Sequence, residues 1–247
     1  MSNANPHLSR WASVILIVSS LLSVGFMVYH PVVRAKGLNG LVEEFANIAF
    51  INALVHGALI ALMWLMLAAF SVLCTILNWN RFTVRAAFLA ACLATMAMTG
   101  AALVSGFIIP EFVANFQART ERSMSHHAPA TGSASITPVS EQELLRSMLQ
   151  IMSLARSTNQ VCSKVGVLAM AVAWLLWSFA LFNSSRWIGV LGMLGGVGLA
   201  GSLLTGLLPM NVHGMLVFAS MQTLWNIAVG WMLWRYDSIL TCNQARA

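Results

Sequence analysis

Six long apolar runs restrict this chain to one kind of fold. They cover about Trp11–Tyr29, Ala46–Leu77, Val84–Ile109, Val161–Phe182, Trp187–Leu208 and Val212–Trp234. A helix of about 20 apolar residues crosses the roughly 30 Å hydrocarbon core of a bilayer. Within lipid, only helices and closed barrels satisfy every backbone polar group. Barrel strands are about half as long as these runs and alternate in character. The sequence therefore predicts an all-α fold, an integral membrane bundle of six transmembrane helices, with residues 1–247 forming a single membrane domain.

Composition agrees with this reading. Of the 247 residues 59% are hydrophobic and 8% charged, and the mean hydropathy is +0.79. Soluble domains carry about 25% charged residues, so this chain cannot cover a water-exposed surface. A soluble enzyme and a nucleic-acid-binding domain are excluded. The net charge of +6 is read as topology control, because the basic residues flank the apolar runs. The bilayer itself is the first partner. A homo-oligomer or other membrane subunits are further candidates.

The first run has Arg10 before its apolar core, as a signal peptide would. No small-x-small cleavage pattern follows Tyr29, where His30-Pro31 stands instead, so it is read as a retained helix. One set of links holds Arg10, Arg81, Arg85, Arg186, Arg235 and Arg246 against Asp237, and these links are very short. The positive-inside rule applies to short loops near span ends. It places both termini in the cytoplasm, and the membrane is the inner (plasma) membrane if the source is bacterial. Trp11, Trp79, Trp187 and Trp234 then form an aromatic belt on that side.

The outer side carries a long loop, about residues 111–160, expected to begin once Pro110 has ended the third span. Its Ser/Ala/Pro/Thr-rich middle reads as flexible. Ser140-Glu141-Gln142-Glu143 matches a capping box, followed by Leu144, Leu145, Met148, Ile151, Met152 and Ala155 at helical spacing. The expectation is an amphipathic helix on the outer membrane surface. An early extension of the fourth span is the alternative.

Ionisable side chains at membrane depth are costly and point to function. His30 closes the first span, His56 lies within the second, and His213 opens the sixth. All three belong to the outer half of the bilayer. Imidazoles are ligands for transition metals and for haem iron, so His56, His213 and His30 are the candidate cofactor-binding residues. The cofactor would be haem b or a transition-metal ion, although having none is equally compatible with the sequence. Asn52, four residues before His56 on the same helix face, and Glu44 are candidate supporting groups that orient a ligand. The leading expectation is a haem- or metal-binding redox protein.

A small-solute transporter or channel is the alternative, with Gln222 and Asn226 as a polar path. An accessory subunit of a larger membrane complex is the third reading. The repeated tripeptides Val55-His56-Gly57 and Val212-His213-Gly214 suggest a weak internal duplication that would make the two histidines equivalent. Seven glycines between Gly189 and Gly206 are read as a packing face. The 15 methionines look scattered, with no copper-type cluster. Cys74, Cys92, Cys162 and Cys242 form no CxxC, so they are read as small core residues. No nucleotide-binding or hydrolase motif is present.

Overall fold

The computed structural model describes residues 6–31, 38–125, 141–182 and 184–244, and among them no strand occurs. Seven helices follow in order: α1 Pro6–Val28, α2 Leu38–Ile76, α3 Phe82–Leu103, α4 Ile109–Ser125, α5 Glu141–Leu181, α6 Arg186–Leu204 and α7 Val212–Gln244. Among the described residues, six segments are long and apolar enough to cross a membrane: His7–Val28, Val42–Ile76, Phe82–Ala118, Arg146–Leu181, Arg186–Leu204 and Val212–Arg235. The chain is thus a polytopic membrane protein with the six expected spans.

The helices alternate in direction, so the bundle has two distinct ends. At the hairpin end, short turns join α2 to α3 and α5 to α6. The first turn needs Asn78 at φ 75°, a left-handed position that Asn tolerates better than most residues. At the loop end lie the longer connections. Here Gly206 (φ 74°) closes α6, and Asn211 Oδ1 caps α7 by accepting the Gly214 N–H at 3.0 Å. The most extensive helix pairs are α3–α5 and α1–α7, followed by α5–α6 and α1–α2, whereas α6 barely touches α7. The duplication suggested by the repeated tripeptides would make α1–α2 and α6–α7 equivalent pairs, and the two pack unlike each other.

Much of the expected outer loop is helical. Pro110 does not end the third span. A π-helical segment, Val104–Ile108, joins α3 to α4, and the helix continues to Ser125. Residues 141–160 are helical too, but they form the first half of the continuous 41-residue α5. Of the two readings of that segment, the extension of the fourth span matches the observed helix. Ser140 of the expected capping box lies outside the described residues. At 1.5 Å per residue, α2 and α5 are each about 60 Å long. That is roughly twice the hydrocarbon thickness, so both project past the bilayer.

The hairpin-end half is packed around aromatics. Trp174, Trp177, Trp225 and Phe70 are fully buried. Trp225 stacks between Trp174 and Trp177, with ring centres 5.6 and 5.7 Å apart, and Trp177 Nε1 donates to Cys74 Sγ at 3.4 Å. Lipid gives helices no hydrophobic drive to associate, so close backbone approach carries the packing. The glycines of α6 provide it. A Cβ on Gly192 would overlap Ser178 Oγ and stand 2.5 Å from Trp225 Nε1, and one on Gly196 would meet Ala171 O at 2.8 Å. Gly198 and Gly201 face open space, so only part of the glycine run serves this contact.

Candidate functional site: a histidine pair at the head of a methionine-lined cavity

His30 and His56 come together. Their Nε2 atoms are 3.3 Å apart, and the rings meet edge to face with centres 4.8 Å apart. His56 sits 21 residues from the α2 hairpin at Leu77, about 30 Å along the helix axis. It therefore lies near the far edge of a hydrocarbon layer that starts at that hairpin, level with His30 just beyond the end of α1. The excess length of α2 explains why His56 is not the deep residue that its place in a 32-residue apolar run suggests.

Each ring is held by its other nitrogen. His56 Nδ1 lies 2.8 Å from the main-chain carbonyl of Asn52, and His30 Nδ1 lies 2.8 Å from that of Pro31. A carbonyl only accepts, so both Nδ1 atoms carry the proton. In the neutral rings, both Nε2 lone pairs then point into the same gap. Burial lowers the pKa of His30 and outweighs the upward pull of the Pro31 carbonyl, favouring the neutral form. Two bare lone pairs at this distance repel unless a cation lies between them.

His56 is seated by the π segment of the third span. A Cβ on Gly106 would overlap His56 Cβ and stand 2.7 Å from Cγ, so this crossing requires glycine. The π register decides which carbonyl Pro110 leaves unserved. The Ile109 N–H bonds back five residues to Val104 O. In the same register the next donor belongs to residue 110, a proline with no N–H. Ser105 O is left without that helical partner, and Asn52 Nδ2 donates to it at 2.8 Å. Asn52 thus ties α2 to the π segment with its side chain and orients His56 with its main chain. π segments often mark functional sites, and here one shapes the wall against which a candidate ligand rests.

Below the pair opens a cavity of about 340 Å³, within the range of small-ligand sites. Along α2, His56, Leu59, Met63 and Met66 line it, a stripe of one helix face. Six methionines border it in all: Met27, Met63, Met66, Met98, Met210 and Met215. They come from α1, α2, α3, α7 and the α6–α7 link, so residues scattered in sequence converge in space. The methionines are scattered along the sequence, as expected, yet six of them share this cavity's wall. Arg156, Asn159 and Gln160 of α5 also border the cavity, as do Ser20, Ser23, Gln222 and Thr223.

The remaining expected site residues are placed elsewhere. His213 is exposed at the start of α7 and does not border the cavity, although its neighbour Val212 does. It is not the equivalent of His56, which is buried in mid-helix. Glu44 lies twelve residues from His56, about 18 Å along α2, and cannot reach the imidazole. Gln222 faces the cavity. Asn226 does not. Its Nδ2 donates to Ser20 Oγ at 2.7 Å and to Met66 Sδ at 3.4 Å, tying α7 to α1 and α2. Among the described residues, no group of three or more His, Cys, Asp or Glu is placed to hold a metal ion; the donors here are two imidazoles, with thioethers, hydroxyls and amides lining the cavity. Comparisons with protein-family models, with curated proteins and with solved structures find no match for this chain.

Proposed function

We propose that the protein is a membrane metal-binding protein that takes a transition-metal ion between His30 and His56, at the head of the cavity that opens at the loop end. The observation that carries this reading is the pairing of two imidazoles whose Nδ1 atoms are committed to carbonyls and whose Nε2 atoms stand 3.3 Å apart. An ion about 2.0–2.1 Å from each nitrogen at a tetrahedral angle separates the two by about 3.3 Å. A haem favours a different arrangement. Its two axial nitrogens lie on opposite faces of the porphyrin, roughly 4 Å apart in line with the iron, whereas these two rings touch edge to face. The geometry supports a single ion over a haem held by this pair.

The closed hairpin end supports a binding site over an open pore. Phe218 lies on the cavity wall, and Phe70, Trp174 and Trp225 fill the bundle beyond it. Thermal unfolding of the purified protein, with and without divalent and monovalent transition metals, tests the proposal. Ligand at 100 times its Kd stabilises the folded state by about 2.7 kcal/mol, so the unfolding temperature should rise by several degrees. That rise should vanish in His30→Ala and in His56→Ala and persist in His213→Ala. Equal stabilisation of all four proteins, or of none, would contradict the proposal.

A further inference from the structure

Building on the metal-binding reading, we infer that the ion is Cu(I), held by the His30–His56 pair together with thioether sulfur from the cavity wall. The donor set points there. Among the described residues lining the cavity there is no carboxylate and no thiolate, while six methionines are present. A divalent ion would bring two positive charges to a pocket without an anionic ligand and with the Arg156 guanidinium on its wall. Burying charge without compensation is strongly unfavourable. A monovalent ion halves that charge. Imidazole suits several metals, but soft thioethers select Cu(I).

The methionines share the cavity wall with both imidazoles. Met27 occupies the last turn of α1, and the His30 N–H bonds to its main-chain carbonyl at 3.4 Å. Met63 lies two turns inward of His56 on the same face of α2, about 10 Å along the axis, with Met66 a further turn inward. The stripe leads from the membrane boundary toward the middle of the bundle. Met66 Sδ, at its inner end, accepts hydrogen bonds from Ser20 and Asn226 at 3.4 Å. Of the other lining sulfurs, Met27 and Met63 are carried by the same chain segments as His30 and His56, and they are assigned as the companions of the imidazoles.

The test uses the full chain in detergent or nanodiscs. Cu(I) is titrated under reducing, anaerobic conditions against a chromogenic Cu(I) chelator, Ag(I) serves as a redox-inert stand-in, and Zn(II) is titrated separately. X-ray absorption at the copper edge of the loaded protein reads the donor atoms. The expected result is one Cu(I) or Ag(I) per chain, bound at least 100-fold more tightly than Zn(II), with both nitrogen and sulfur in the first shell. Met27→Leu/Met63→Leu keeps side-chain volume and should fold normally. It should weaken Cu(I) at least tenfold and diminish the sulfur signal. Zn(II) bound as tightly as Cu(I), or a copper shell of nitrogen and oxygen alone, would overturn the inference while His56-dependent binding left the metal-binding reading standing. Binding unaffected by both His30→Ala and His56→Ala, or no binding of any metal, would overturn both.

Discussion

At the hairpin end, α5 and α7 stack Trp174, Trp177 and Trp225, Phe70 of α2 packs tilted against Trp177 and Trp225, and glycines of α6 let the backbones close on them. At the loop end, α2 and α7 stand apart around a cavity bordered by thioethers, hydroxyls and two imidazoles. The difference lies in what each half places at the interface. Large flat rings against glycine leave no room, whereas Met, Ser and His at the same helix spacing leave a hollow with donors on its wall. The aromatic core and the proposed binding site are thus separated along the bundle axis, and the substitutions that damage one half should spare the other.

The largest effect on stability should come from Trp225→Ala. Removing a fully buried indole costs about 3–5 kcal/mol, measurable as a lowered unfolding midpoint in detergent. Metal stoichiometry of the folded fraction should be unchanged. Lost binding in this variant would mean that the two halves are coupled.

Gly106→Ala should show a different pattern. The added methyl overlaps His56, and overpacking of this kind costs about 1–3 kcal/mol. Displacement of a supporting group typically weakens metal affinity about 10–100-fold. Binding titrations alongside unfolding curves should therefore find affinity lost together with stability, by about 1.4–2.7 kcal/mol for a 10–100-fold change, unlike in Trp225→Ala.

Asn52→Ala tests the strut between α2 and the π segment. Interhelical hydrogen bonds in membranes are worth about 0.6–2 kcal/mol, and the Asn52 carbonyl that orients His56 survives the change. A modest stability loss and a small loss of affinity should result. Coupling to Pro110 can be read by a double-mutant cycle. Pro110→Ala restores an N–H that can serve Ser105 O, so the Asn52 substitution should cost less in that background.

The smallest expected effect concerns pH. Protons compete with metal for the two Nε2 lone pairs, so binding weakens as pH falls. Burial lowers the His30 pKa, so the neutral ligand persists to lower pH than in a solvated imidazole of pKa about 6.5. Metal should therefore be released with a midpoint below that value, as followed by a pH titration of the loaded protein. Release above it would show that His30 is solvated or is not a ligand.

The number of spans was legible in the sequence because apolar length is a local property, and residues such as Trp11, Arg81 and Trp187 mark their ends. The histidines were legible as chemistry but not as geometry. His30 and His56 meet because α2 overshoots the bilayer, a feature hidden because the apolar run continues past the membrane boundary to Ala46, with its first charges only at Glu43 and Glu44. His213 was grouped with them on order and direction alone, yet one turn of helix decides which side of α7 it occupies. The methionine lining was invisible because its members are up to 188 positions apart. Pro110 misled as a helix terminator. Its missing N–H is absorbed by the π register and by Asn52, a long-range partner that no local rule supplies.

The most direct test of the paired-imidazole site is the metal content of the protein after equilibration with Cu(I) and removal of free ion, compared among wild type, His30→Ala, His56→Ala and His213→Ala. One ion per chain in wild type and His213→Ala, with a loss of at least nine-tenths in His30→Ala and His56→Ala, is the predicted result. Equal metal in all four proteins, or a loss in His213→Ala alone, would contradict it.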